Sequence, residues 1–119
     1  MSSERPVFLN FARLRFPVGA VASIGHRVSG VLLFLALPFA VWALERSLRS
    51  ERPFELNAGP LARLAFFLLA WAAAHHLFAG IRHLLSDADI GSSLRASRAS
   101  AWAALIAALA VGLAALVLP

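Results

Sequence analysis

Cysteine, lysine and tyrosine are all missing from the 119 residues of this chain, and each absence removes a class of chemistry. Without cysteine the chain can carry no iron–sulfur cluster, no thiolate-bound zinc and no disulfide. Without tyrosine it has no phenolic proton donor. A glycine-rich loop of the dinucleotide or P-loop kind is lacking as well, so any flavin, nucleotide or cluster chemistry would belong to a partner. Charge is scarce too. Only 14% of residues are charged against 61% hydrophobic, and a soluble domain of this length has too little interior to hide that much apolar surface. The net charge of +5 comes wholly from arginine. Those arginines are scattered between apolar runs and not gathered on one face, which fits headgroup and topology anchors and excludes a nucleic-acid footprint.

What remains is an all-α integral membrane pattern in one domain, 1–119, with spans at about 20–45, 60–86 and 97–118. Only helices satisfy the backbone of such segments in lipid. Pro17 and Gly59-Pro60 suit helix starts, and Pro38 falls inside the first span, where it is expected to kink the helix. Glu45 to Asn57 and Ser86 to Arg98 read as polar linkers. Residues Met1 to Phe16 lack the continuous apolar core of a cleavable signal and read as an amphipathic arm along the membrane surface. Seven arginines fall on the side of the N-terminus and the second linker, against four on the other. That bias predicts a cytoplasmic N-terminus and an external C-terminus. The third span has no ionisable residue after Arg98, and its alanines and Gly112 read as structural packing.

Two polar clusters interrupt this pattern. In the second span stands His75-His76-Leu77-Phe78-Ala79-Gly80-Ile81-Arg82-His83. Ionisable residues are expensive in hydrocarbon, so they mark function by default. His76, Gly80 and His83 share one helical face, bordered by Ala72, Ala73 and Ala79. Small residues beside a mid-helix histidine leave room for something flat and wide, for which a haem with axial imidazole ligation is the first candidate. The residues alone leave open whether His76 ligates or makes an interhelical hydrogen bond. His75 lies on a larger, more lipid-like face with Leu68, Trp71 and Phe78, so His76 is the favoured ligand. Arg82 and His83 lie about 10 Å nearer the cytoplasmic end, where they could meet haem propionates or lipid headgroups. His26, at the mouth of the first helix, reads as too shallow to be a second axial ligand, so a partner or a second copy should supply one.

The second cluster is Ser23-Ile24-Gly25-His26-Arg27, whose polar members can share one side of a helix. A hydroxyl one turn from a guanidinium suits a quinone headgroup, with Ser23 donating to a ring oxygen and Arg27 stabilising negative charge during reduction. His26 could instead hold a propionate. Snorkelling anchors with a capping serine are the alternative, and the spacing by itself favours them.

Taken in order, Arg5-Pro6, Ser23-Ile24-Gly25-His26-Arg27-Val28-Ser29-Gly30 and His76-x-x-x-Gly80-Ile81-Arg82-His83-x-x-x-Asp87 resemble the cytochrome b membrane-anchor subunit of succinate dehydrogenase, the larger of its two anchor chains. The resemblance implies that His76 is an axial ligand of one haem b shared with a smaller anchor subunit, which also supplies a tyrosine. It implies that Ser23 and Arg27 line a ubiquinone site beside the iron–sulfur subunit. His26, Arg27, His83 and Arg82 would lie at the propionate rim. Flavin and iron–sulfur clusters would sit on the flavoprotein and iron–sulfur subunits, which hold the succinate site, in a complex of the cell inner membrane. A quinol-oxidising fumarate reductase anchor is the runner-up. A cofactor-free structural subunit and a proton-conducting one are further alternatives.

Overall fold

A computed structural model of the chain describes residues 15–49 and 59–117, which form three helices. These are α1 (Val18–Arg49), α2 (Gly59–Asp87) and α3 (Leu94–Val117), each long and apolar enough to cross a membrane. The amphipathic arm expected over Met1 to Phe16 falls almost wholly outside the described residues, as does most of the first linker. The start of α1, the end of α2 and the start of α3 share one end of the bundle, here called the near end.

Each helix boundary has a local cause. The Pro17 carbonyl accepts from Ala20 and Val21 N–H at 2.9 and 3.2 Å, opening α1 at a residue that could not itself donate. The helical span of α1 continues through Pro38 to Arg49, where an Arg49–Glu45 ion pair of 2.6 Å spans its last turn. The linker expected from Ser86 to Arg98 is much shorter than its polar composition suggests. α2 runs on to Asp87 and closes with paired backbone bonds, Ile90 N–H to Leu85 at 2.8 Å and Asp89 N–H to Ser86 at 3.0 Å, around Asp89 at φ 61°. This double bond with a left-handed residue at its centre is a Schellman closure, and aspartate is among the few residues that accept it. Ser93 then caps α3 by accepting the Ala96 N–H at 3.3 Å.

The interior is made of small residues. Ala22, Ser29, Ala72, Ala74, His75, Ala79, Ala101, Ala104, Ala108 and Gly112 are the buried positions, whereas Phe34, Leu35, Phe39, Trp42, Leu61, Trp102 and Ile106 face outward. A soluble bundle would show the reverse. Lipid tails solvate leucine as well as a protein core does, so helices associate where small side chains let backbones approach and polar groups bond across. Gly112 shows how close that approach is, because a Cβ there would lie 3.0 Å from both Phe67 and Trp71 of α2. Gly112→Leu is therefore expected to cost about 1–3 kcal/mol by overpacking. A lowered thermal midpoint in detergent, with other properties of the folded fraction retained, is the checkable result.

Candidate functional site

The site lies between α1 and α2, about 12 Å along α1 from its near end by helical rise. Small residues of α1 at i, i+3 and i+7 (Ala22, Gly25 and Ser29) face the two adjacent histidines of α2. His76 reaches the backbone of α1, with its Nδ1 3.1 Å from the His26 carbonyl and 3.4 Å from Ser29 Oγ. The Ser29 hydroxyl is itself buried and donates to the same His26 carbonyl at 2.9 Å. A carbonyl only accepts, so the proton of neutral His76 resides on Nδ1, and Nε2 carries the lone pair. Gly30 makes this approach possible, since a Cβ there would stand 3.0 Å from His76 Cε1.

Three histidines gather here. The His26 ring stacks on His76 at 4.2 Å between centroids with 14° between planes, and His83 lies 5.3 Å from His26. This brings His26 of α1 against the expected face of α2, His76 and His83. The His26 ring lies beside Gly80, where a Cβ would stand 3.4 Å from its Nε2, one turn of α2 from His76 toward the near end. It nevertheless presents its face to His76, whereas two axial ligands of one iron must point ring nitrogens at each other from opposite sides. Among the described residues no group of three or more His, Cys, Asp or Glu side chains is arranged to hold a metal ion.

His75 departs most from the sequence reading. It is fully buried and not lipid-facing, with Nε2 3.2 Å from the Ala22 carbonyl and its ring stacked on Trp71 at 5.5 Å. The helical wheel misplaced it because α2 packs against both neighbours, so a face rich in large residues is still covered. Ser29 and Gly30 were visible in the sequence motif but had no role there. Their signal was the small-residue spacing along α1.

Ser23 is partly exposed and Arg27 exposed, on successive turns of α1, and neither has a hydrogen-bond or ion-pair partner among the described residues. Arg82 takes a direction the sequence did not suggest. Its Nε donates to Ser100 Oγ at 3.2 Å and a terminal nitrogen to Ser97 Oγ at 3.0 Å, tying α2 to α3. That same nitrogen stands 3.4 Å from where a Cβ on Gly19 of α1 would be, so Arg82 sits among all three helices at the near end. Arg82→Ala is expected to cost about 1–3 kcal/mol through the two lost charged hydrogen bonds. A fall in thermal stability with an unaltered absorption spectrum supports the tie, and a spectral change at constant stability supports the rim position.

Comparison with known proteins places this geometry in a family setting. Residues 1–115 match the family model described as succinate dehydrogenase/fumarate reductase transmembrane subunit. The succinate dehydrogenase cytochrome b556 subunit of Coxiella burnetii is 38% identical over 112 residues, covering 89% of each chain. The subunit of the same name from Paracoccus denitrificans is 30% identical over 84% of this chain and 80% of its own length. That from Rickettsia typhi is 28% identical over 87% and 84%.

Proposed function

The chain belongs to the succinate dehydrogenase/fumarate reductase transmembrane subunit family, as a multi-pass inner-membrane protein, and we propose that it binds one haem b through His76 and forms part of a ubiquinone-reduction site through Ser23 and Arg27. The observation that carries this reading is the state of His76. Its Nδ1–H is held by a backbone carbonyl, which leaves Nε2 as an in-plane lone pair without a hydrogen-bond partner among the described residues. Metal-ligating histidines characteristically have this arrangement, with the second nitrogen fixed to a carbonyl so that the ring is oriented and its basicity raised. Stacking by His26 uses the π face and leaves the in-plane lone pair open. The donor set therefore fits a haem iron.

When bound, the haem supplies a one-electron relay beside the quinone site. His76 would hold the haem from this chain, and a second histidine would be supplied by the smaller anchor subunit, since His26 presents its ring face to His76. His26 and His83 stand on the near-end side of His76, where they can meet propionates, and Arg27 borders them on α1. Arg82 contributes at that rim only through donors not used by Ser97 and Ser100.

At the quinone, Ser23 donates its hydroxyl hydrogen to one carbonyl oxygen and Arg27 offers a guanidinium to the oxygen on which charge develops. Two electrons from succinate, delivered through the flavoprotein and iron–sulfur subunits, and two protons from the cytoplasmic side convert ubiquinone to ubiquinol. The guanidinium matters when electrons arrive ahead of protons, because a preorganised cation in a low-dielectric site stabilises that charge without reorganisation. The chain has no tyrosine, so a phenolic donor to the second oxygen is the smaller anchor's. The near end faces the cytoplasm, in line with the arginine bias. The relatives named above are succinate dehydrogenase subunits, which favours succinate oxidation over the fumarate-reducing direction.

Isolation of the complex through a tag on this chain tests the proposal. Flavoprotein, iron–sulfur and small hydrophobic subunits should accompany it, and the preparation should reduce ubiquinone with succinate. A chain isolated alone, or a complex that reduces only soluble dyes, would contradict it.

A further inference from the structure

His75 is not used in the reading above, yet it is the largest fully buried side chain of the described residues. Its Nε2 faces the Ala22 carbonyl at 3.2 Å, and because that oxygen can only accept, Nε2 carries the proton. Nδ1 is then an acceptor, fully buried and without a hydrogen-bond partner among the described residues. An orphaned buried acceptor is unfavourable, and a phenyl ring would fill the same volume without one. What histidine adds at this position is the donor on the far side of the ring.

That donor acts on a defined piece of α1. Ala22 and His26 are one turn apart, and their carbonyls are the points gripped by His75 and His76, adjacent residues of α2. The residue following each gripped carbonyl is Ser23 in one case and Arg27 in the other. The His75 ring lies in a notch left by Gly25, where a Cβ would stand 2.5 Å from Nε2 and 3.2 Å from Cδ2. Behind the ring, Trp71 stacks at 5.5 Å with 11° between planes, and Trp71 is itself backed by Gly112 of α3. Trp71 thus joins the His75 ring to the packing of α2 against α3.

We propose that His75 is a positioning residue for the quinone site, fixing through the Ala22 carbonyl and the Gly25 notch the turn of α1 that presents Ser23 and Arg27. This rests on the assignment of Ser23 and Arg27 to quinone binding. Gly25 and His75 work as a pair, with the glycine's missing side chain as the seat of the imidazole. His76 holds the next turn of α1 in the same way, so the two histidines together set its axial register as well as its distance.

The test compares His75→Phe, Gly25→Ala and Arg27→Ala in the isolated complex, reading succinate oxidation by a soluble dye, the haem absorption band and the KM for a short-chain ubiquinone. His75→Phe keeps the ring and loses the donor. It should raise the ubiquinone KM about three- to tenfold, the worth of one lost hydrogen bond, with the dye reaction and haem band per complex unchanged. Gly25→Ala should move KM the same way by pushing the ring off Ala22, and it decides the matter if His75→Phe does not assemble. A wild-type KM in both variants while Arg27→Ala is impaired overturns the role of His75 and leaves the quinone site standing. Equal loss of haem, dye reaction and quinone reduction in both variants also overturns it, since that is the signature of a merely structural side chain. If Arg27→Ala itself retains normal quinone kinetics, the quinone-site assignment fails, and the positioning role fails with it.

Discussion

Arg27→Ala should lower succinate-dependent ubiquinone reduction by about 10²–10³-fold, the range for removal of a preorganised donor from a developing oxyanion, with dye-coupled succinate oxidation intact. The two assays separate because the dye takes electrons before they reach the membrane anchor. Arg27 is exposed on α1, and no ion pair or hydrogen bond engages it among the described residues. Its removal therefore breaks no internal contact described here, unlike removal of Arg82. A lysine at the same position should restore part of the rate, since it keeps the charge but loses the planar fork of donors. Normal quinone turnover in Arg27→Ala would remove the pocket from this part of α1.

His76→Ala should give the other large effect, loss of the b-type haem band or its replacement by the broader spectrum of iron short of one strong-field ligand. The variant also frees the His26 carbonyl from its Nδ1–H contact, so quinone reduction should decline as well. The neighbouring residue provides the control. His75→Phe should leave the haem band in place, because His75 Nε2 carries a proton bonded to Ala22 and Nδ1 is sealed in the interior. Two adjacent histidines thus separate by readout, one through the spectrum and one through the quinone KM. Retention of an unchanged band in His76→Ala would move the ligand elsewhere.

Much of this architecture is legible in the sequence because lipid imposes a strong and simple rule. Apolar length alone located the helices now seen at Val18–Arg49, Gly59–Asp87 and Leu94–Val117. Their polar ends were harder to read, since Glu45, Arg49, Asp87 and Arg95 belong to helical turns at the ends of the apolar stretches, where composition looks like linker. Helical spacing also placed His76 and His83 together. The burial of His75 was hidden by its large neighbours, and it becomes apparent only when α2 is seen between α1 and α3. The stacking of His26 on His76 was hidden for a related reason. Residue number measures distance along α1, but how closely α1 and α2 approach is set by small residues such as Gly25 and Gly30, which leave room for His26 and His76 to stack. The direction taken by Arg82 depended on Ser97 and Ser100 from a third helix, a contact that local sequence does not encode.

The most direct test of the central claim is a dithionite-reduced minus oxidised absorption spectrum of the complex isolated through a tag on this chain, recorded for the native sequence and for His76→Ala. A sharp b-type haem band in the native complex that is lost or broadened in His76→Ala is the predicted result. A colourless native complex, or a band that survives the substitution unchanged, would contradict the assignment of His76 as the haem ligand.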